Sequence, residues 1–232
     1  MFPKRVLSDI KVFNEASPSN IYVIPDEKNN VIRALIIGHE DTPYKYGFYF
    51  FSIRFPDDNK AGRYPFIPPV VKFETSDGKT RFNPNLYVCG KVCLSILGTW
   101  SGPAWSPAGT FLTVLLSIQS DVMTSVPLLN EPGYEKAPQT EIDEYSNLVE
   151  HQNFAFSLIH QMKYPSDGFE VFKNIMLESI QKNKETILKK LESNYMSFKD
   201  KHFFKTAYAG QHIVNNYAKI VEEFNDLMSS TK

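Results

Sequence analysis

The segment FNPNLYVCGKVCLSIL, residues 82–97, constrains the fold more than any other part of this chain. It places Cys93 eight residues after Asn85, the last residue of an Asn-Pro-Asn turn. Residues 86–105 show neither helical nor strand periodicity, and glycine and proline interrupt them repeatedly. A long irregular segment inside a compact domain is usually ordered and carries function. We therefore expect a chain that folds around a fixed loop bearing a cysteine.

Length and charge limit the class of protein. The chain has 232 residues, 42% of them hydrophobic and 22% charged, which suits one domain with an extension. Its 25 basic and 26 acidic residues give a net charge of −1 and are spread along the whole length, so we expect no nucleic acid and no membrane among its partners. The N-terminus lacks the apolar core of a signal peptide. A cytoplasmic or nuclear location is expected.

The first half of the chain predicts a helix followed by an antiparallel meander. Apolar residues recur at helical spacing through residues 4–16. Four segments rich in Ile, Val, Tyr and Phe predict strands at residues 21–24, 31–38, 48–55 and 70–73. The sequence RYPFIPP lies between the last two, and its prolines enforce an extended loop.

The second half predicts helices. Ser106 and Pro107 have the form of an N-cap followed by proline at the first helical position, so a buried central helix is expected to begin there. Apolar spacings of three and four predict further helices at about 141–162, 169–198 and 203–228, the last two as a hairpin packed on the domain.

The two cysteines, Cys89 and Cys93, cannot form a disulfide framework. They supply only half a zinc site, and no histidine lies near them in sequence, so we expect no metal and no cofactor. From the residues alone, Cys93 is either a buried small apolar residue or an exposed nucleophile.

These segments together resemble the ubiquitin-conjugating (UBC) family. The resemblance runs from about Lys4 to Glu135 and rests on four blocks in the family's order: TPYKYGFYFFSIRFP, YPFIPPVVKF, Asn-Pro-Asn with Cys93, and AWSPA. It implies an α+β fold with an N-terminal helix, a four-stranded antiparallel meander, a central helix and C-terminal helices, here with an added helical hairpin. We divide the chain into a UBC catalytic domain, residues 1–162, and a helical C-terminal extension, residues 163–232, packed on it.

Within the family, the segments RFNPNLY, GKVCLSILGTW, LLSIQS and NEPGYE look most like a subgroup of large members. That subgroup includes the conjugating enzyme served by the alternative ubiquitin-activating enzyme and the UBC module of giant inhibitor-of-apoptosis proteins.

The resemblance implies that Cys93 accepts ubiquitin, or a ubiquitin-like modifier, as a thioester from an activating enzyme. Cys93 would then pass the modifier to a lysine or to a ligase. It further implies that the amide of Asn85 stabilises the oxyanion or braces its loop. Capping of the turn after Pro84 is the structural alternative, and both roles can coexist. Asn83 stands where the family usually has histidine, and we expect it to donate a hydrogen bond to the backbone instead.

Two more positions bear on catalysis. Ser95 replaces an aspartate that in many family members orients and deprotonates the incoming lysine. A hydroxyl cannot supply that charge. Glu131 falls where the family has an acidic gate residue, so we expect it to supply the local negative charge, with a solvated loop carboxylate as the alternative.

The resemblance also assigns a partner-binding surface. Phe66, Pro107 and Ala108 match the two loops that dock RING-type or HECT-type ligases. Lys4 and Arg5, on the first helix, match the region that also contacts the activating enzyme. A scaffold role is the alternative for Pro107.

The leading interpretation is thus an active conjugating enzyme. A non-catalytic UBC-fold binding module is the alternative from a different class, although such variants typically lack the cysteine. A third possibility is a conjugating enzyme dedicated to another ubiquitin-like modifier, since the chemistry would be the same.

Overall fold

A four-stranded antiparallel sheet organises the structure, a computed structural model that describes residues 2–58 and 62–230. Its strands follow one another in the order β1, β2, β3, β6. Their bounds are β1 Ile21–Asp26, β2 Val31–Ile37, β3 Phe48–Arg54 and β6 Val70–Phe73. Two-residue strands, β4 Asp57–Asp58 and β5 Gly62–Arg63, pair between β3 and β6. The predicted meander is therefore confirmed.

One face of the sheet covers the first buried core. Helix α1 is Lys4–Ala16, as expected, and helix α2 is Phe111–Ser117, continued by a π-helical turn at Ile118–Val122. Alternate residues of the strands point towards these helices because successive strand side chains lie on opposite faces. The strand residues on this face include Ile32, Ala34, Ile36, Tyr49, Phe51 and Ile53.

The predicted start of the central helix is wrong. Ser106 and Pro107 lie in a turn in which the Gly109 amide donates to the Ser106 carbonyl. The helix begins at Phe111, after Thr110, whose side-chain oxygen accepts a hydrogen bond from the Thr113 amide. The capping group is thus a threonine four residues further along, which satisfies one of the free amides of the first turn.

The other face of the sheet is covered by C-terminal helices. Helix α3, Gln139–Gln152, continues through a π-helical segment, Asn153–His160, into a short α4, Gln161–Lys163. Helix α5, Lys173–Phe198, and helix α6, Tyr217–Ser230, follow and pack against each other. Short 3₁₀ turns occur at Ser95–Leu97, Pro127–Asn130, Glu170–Phe172 and Tyr208–Gly210.

This second face carries Leu35, Ile37, Phe48 and Phe50, which share a buried cluster with α5 and α6. That cluster contains residues from before and after position 162. The domain boundary between residues 162 and 163 stays a prediction. Residues 1, 59–61, 231 and 232 of that division lie outside the described residues.

The last predicted helix is wrong in its first part. Residues 203–214 form a hairpin of two short strands, β7 Phe203–Lys205 and β8 His212–Val214. Helix α6 starts only at Tyr217. The alternation of exposed and buried residues in each short strand suits a sheet rather than a helix. None of the helices in the described part of the chain is both long and apolar enough to cross a bilayer.

Because the second face of the sheet is covered, substitutions at two neighbouring residues should differ greatly in their effect on the free energy of unfolding. Phe172 is fully buried, with its ring 6.2 Å from those of Phe50 and Phe169, whereas Val171 is 53% exposed. We expect Phe172→Ala to lower the free energy of unfolding by about 3–5 kcal/mol, because it removes a packed aromatic ring and leaves a cavity. Val171→Ala is the matched control and should change it by roughly 0.5 kcal/mol or less.

Denaturant unfolding followed by tryptophan fluorescence measures both variants. Equal effects of the two substitutions would contradict the packing of this region against the sheet.

Candidate active site

The asparagine turn, residues 83–86, carries two of the side chains of the site, Asn83 and Asn85. The Leu86 amide donates to the Asn83 carbonyl at 2.9 Å, which closes a turn with Pro84 and Asn85 at its centre. Proline fixes the backbone of the first central position, so the turn is preorganised. The turn thereby places Asn85 next to Cys93, eight residues later in the chain.

Asn83 is fully buried and all of its side-chain polar atoms are engaged. Its Nδ2 donates to the Tyr44 hydroxyl at 2.8 Å and to the Val122 carbonyl at 2.7 Å. Its Oδ1 accepts from the Asn85 amide at 2.8 Å and from Asn130 Nδ2 at 3.4 Å. Asn83 therefore does donate to the backbone, and it ties the turn to the loop before β3 and to the end of α2.

Two hydrogen bonds join Asn85 to Cys93. The Cys93 amide donates to the Asn85 carbonyl at 2.9 Å, and Asn85 Nδ2 donates to the Cys93 carbonyl at 2.7 Å. Asn85 Oδ1 is buried and finds no hydrogen-bond partner among the described residues. Most buried polar groups in folded proteins are paired, so this oxygen is an exception. Asn85 thus braces the loop that carries Cys93, and its side-chain amide is held beside the Cys93 backbone.

The two cysteines differ in exposure. Cys93 is 1% exposed, whereas Cys89 is exposed to solvent. Exposure alone would make Cys89 the more reactive thiol, since reaction requires access. The two hydrogen bonds shared with Asn85 distinguish Cys93 instead. Within the described residues, no cluster of three or more potential ligands could hold a metal ion.

The loop after Cys93 is held by Thr99. Its hydroxyl donates to the Val92 carbonyl at 2.7 Å and accepts from the Leu94 amide at 2.9 Å. Ser95 is partly buried here and lies against Gly102, where an added Cβ would come within 2.9 Å of the Ser95 Cβ. Gly102 has φ +137°, a conformation that favours glycine. Ser95 is thus packed within its own loop.

Glu131 lies at the end of the 3₁₀ turn next to the asparagine turn. Its neighbour Asn130 donates to Asn83 Oδ1 and, at 3.1 Å, to the Val122 carbonyl. Glu131 Oε2 accepts a hydrogen bond from the Tyr208 hydroxyl at 3.0 Å. The carboxylate is therefore held by a residue of the C-terminal hairpin and is not simply solvated.

Arg81 is a site residue that sequence reasoning missed. Its guanidinium donates to the Asn83 carbonyl at 3.1 Å and to the Pro84 carbonyl at 2.6 Å. It also stacks on Tyr87, with the guanidinium carbon 3.4 Å from the ring centroid. Tyr87 therefore supports the turn from the side. Only proximity in sequence to the turn could have pointed to Arg81.

Arg5 joins the first helix to the loop before α2. Its guanidinium donates to the Pro107 carbonyl at 2.8 Å, to the Gly109 carbonyl at 2.6 Å and to Asp9 at 2.7 Å. Buried Asp9 also accepts from the Tyr64 hydroxyl. The predicted partner-binding surface is therefore braced by a charged network that occupies the Arg5 side chain.

The remaining residues of that surface face solvent. Phe66 is 71% exposed, and Lys4, Pro107 and Ala108 are also exposed. Trp105 donates from its indole nitrogen to the Pro65 carbonyl at 2.7 Å, which joins the two loops. The structure brings these residues to one side of the molecule, where they remain a predicted docking surface.

Comparison with known proteins places these features in a family. The sequence model of the ubiquitin-conjugating enzyme family matches residues 5–156. Ubiquitin-conjugating enzyme E2 Z of Homo sapiens is 42% identical over 178 residues, 75% of this chain and 49% of the relative. Putative ubiquitin-conjugating enzyme E2 38 of Arabidopsis thaliana is 43% identical over 178 residues, 73% of this chain and 52% of the relative.

The similarity continues into the C-terminal region. Probable ubiquitin-conjugating enzyme protein 17 of Caenorhabditis elegans is 40% identical over 204 residues and 82% of this chain, but only 27% of its own length is covered. That share of this chain is larger than the part that ends at residue 156, so the alignment extends into the C-terminal region. The chain spans about half the length or less of these three relatives.

The difference in exposure predicts different alkylation rates for the two thiols. A Cys89→Ser protein carries only Cys93, and a Cys93→Ser protein carries only Cys89. In native buffer we expect maleimide to label the Cys93-only protein slower by about an order of magnitude or more, because a thiol without access reacts slowly. In denaturant the two proteins should label alike.

Mass spectrometry of timed, quenched samples measures both rates. Native labelling of the Cys93-only protein as fast as that of the Cys89-only protein would show that Cys93 is open in solution.

Proposed function

Because this chain belongs to the ubiquitin-conjugating enzyme family, we propose that it is an active conjugating enzyme with Cys93 as its nucleophile. It accepts the C-terminal acyl group of ubiquitin, or of a ubiquitin-like modifier, as a thioester. It then transfers that group to a lysine or to a ligase. The observation that carries the proposal is the pair of hydrogen bonds between Asn85 and Cys93.

Loading is a thiol exchange. The Cys93 sulfur attacks the thioester carbonyl on the activating enzyme, forms a new sulfur–carbon bond and releases the activating enzyme's cysteine as a thiol. ATP is consumed by the activating enzyme. The reaction therefore needs from this chain a thiolate, a place for the acyl carbon and donors for the oxyanion.

Transfer to lysine passes through a tetrahedral intermediate. The amine nitrogen attacks the acyl carbon, the bond to Cys93 sulfur breaks, and the proton lost by the amine leaves with the thiol or with solvent. Asn85 Nδ2 already donates one hydrogen to the Cys93 carbonyl, and its second hydrogen can serve the oxyanion. Removing one such donor typically slows transfer by about 10²–10³-fold.

Glu131 supplies the negative charge that the acceptor amine needs. Ser95 cannot, because it is neutral and packed against Gly102. A carboxylate near the thioester favours approach of the lysine ammonium. It can also accept the proton that the ammonium must lose, as a general base. In this proposal Ser95 shapes the loop rather than acting on the proton.

Partners follow the same logic. The exposed Phe66, Pro107 and Ala108 form the ligase-docking surface, since exposed aromatic anchors are frequent hot spots. Lys4 is an exposed cation on α1 for the activating enzyme, and Arg5 supports the adjacent loop. Thiols stay reduced in the cytosol and nucleus, so the proposal includes a cytosolic or nuclear location.

The burial of Cys93 favours a second candidate function. At 1% exposure the sulfur is closed in this structure, as would suit a UBC-fold module that binds partners without forming a thioester. The motif around Cys93 and Asn85 favours catalysis, and one experiment separates the two.

The experiment is a charging assay. The protein is mixed with ubiquitin, ATP and one of the two ubiquitin-activating enzymes, and the products are separated with and without reductant. We expect a reductant-sensitive adduct with at least one activating enzyme, because the thioester on Cys93 is cleaved by thiols. Cys89→Ser should charge like the unmodified chain. Cys93→Ser should give a reductant-stable, hydroxylamine-labile oxyester.

Loss of charging in the Cys89→Ser protein, together with a reductant-sensitive adduct on Cys93→Ser, would assign the nucleophile to Cys89. Absence of any adduct from folded protein with either activating enzyme would favour a dedicated modifier or the binding module. Repeating the assay with other ubiquitin-like modifiers distinguishes these two.

A further inference from the structure

The hairpin β7–β8 connects α5 to α6, yet its turn reaches the catalytic loops. The inward residues of its strands, Phe204 and Ile213, are buried in the second core. The turn between the strands carries Tyr208, which is 8% exposed and packs with the first core. Gln211, at its end, is also buried. A loop that only connected two helices over the surface would not need to bury Tyr208 and Gln211.

Tyr208 is fixed so that its hydroxyl faces Glu131. Its ring lies edge-on to Tyr134 at 5.6 Å and to Tyr145 at 5.3 Å between centroids. Its hydroxyl donates to Glu131 Oε2 at 3.0 Å. Burial, together with the Glu131 carboxylate, raises the pKa of Tyr208, so the hydroxyl stays protonated as a donor at neutral pH. One oxygen of the Glu131 carboxylate is therefore held, and the other is not engaged by Tyr208.

Gln211 anchors the same turn to the asparagine turn. Its Oε1 accepts from the Arg81 amide at 2.6 Å. The Arg81 carbonyl accepts from the Tyr145 hydroxyl at 2.9 Å. The backbone of Arg81 is thus fixed on both sides, while its side chain holds the carbonyls of Asn83 and Pro84. The hydrogen bond between Gln211 and the Arg81 amide joins residues 130 positions apart in sequence.

We propose that Tyr208 is a positioning residue for transfer to lysine: it orients the carboxylate of Glu131 towards the acceptor amine. Gln211 keeps the turn that carries Tyr208 in place. The inference rests on the proposed function of Cys93 and Glu131. It gives the C-terminal hairpin a part in acceptor recognition.

The role of Tyr208 is specific to a charged acceptor. Loading exchanges one thiol for another and involves no ammonium group, so it does not need the charge of Glu131. Lysine is cationic at neutral pH and must lose a proton before its nitrogen can attack the acyl carbon. Hydroxylamine attacks the same carbon and releases the same Cys93 thiol, but it is uncharged at neutral pH. A change confined to Glu131 should therefore affect lysine and spare hydroxylamine.

The test is single-turnover discharge of the purified ubiquitin thioester of the full chain to each nucleophile. Tyr208→Phe keeps the packed ring and removes only the hydroxyl. We expect normal loading, lysine discharge slower by roughly tenfold, and unchanged hydroxylamine discharge. The lysine concentration for half-maximal rate should rise as well. In a Glu131→Gln background the same substitution should have no further effect, since the two residues act as one unit.

Tyr195→Phe is the matched control, because Tyr195 lies exposed on α5, and it should leave both discharge rates unchanged. Unchanged lysine discharge in Tyr208→Phe would overturn the proposal. So would an equal loss with both nucleophiles, which would indicate general loosening of the site, or a wild-type thioester that reacts with hydroxylamine but not with lysine. If no thioester forms at all, the proposed function fails and this inference fails with it.

Discussion

The buried side chain of Asn83 is the constraint on which the candidate site depends. Its amide nitrogen satisfies the Tyr44 hydroxyl and the Val122 carbonyl, and its oxygen satisfies the Asn85 amide. A buried polar group left unpaired costs about 1–3 kcal/mol. Moving any one of these groups would therefore leave a buried partner unpaired, which keeps the whole set in place. The position of Asn85, and with it the hydrogen bond to Cys93, follows from the packing of the core.

A second layer of support comes from far along the chain. The sheet is covered on both faces, by α1 and α2 on one side and by the C-terminal helices on the other. This arrangement brings the β7–β8 hairpin to the asparagine turn, where Gln211 fixes Arg81 and Tyr208 holds Glu131. The C-terminal region is thus part of the surroundings of the site as well as part of the core. Similarity to the Caenorhabditis elegans relative over 82% of this chain extends into that region.

Sequence patterns over short segments predicted the elements that depend mainly on neighbouring residues. Helical spacing gave α1 to the residue, and runs of β-branched and aromatic residues gave the four strands of the sheet. The cysteine and asparagine motif pointed to the candidate site through its resemblance to the family, since the residues alone left Cys93 as either a buried apolar residue or a nucleophile. The start of α2 was misplaced because Ser106 with Pro107 has the same form as a cap, while the actual cap is Thr110. The hairpin at 203–214 was misread because the apolar spacing of α6 was extended backwards into it.

Other features depend on contacts between distant residues. Arg5 stays a predicted partner-binding residue, and no sequence pattern indicated that its guanidinium also braces the loop at Pro107, 102 positions away. No periodicity encodes the bond between Gln211 and the Arg81 amide, or that between Tyr208 and Glu131. The near-complete burial of Cys93 is likewise a property of the assembled loops. Such features become visible only once the chain is folded.

The central claim is that Asn83 acts on transfer through Asn85. A double-mutant cycle on single-turnover lysine discharge, with Asn83→Ala, Asn85→Ala and the double variant, measures this directly. Each single substitution should slow discharge. The double variant should be about as slow as Asn85→Ala alone, because the amide that Asn83 positions is already gone. Effects that multiply across the two sites would contradict the account, since they would show that Asn83 contributes independently of Asn85.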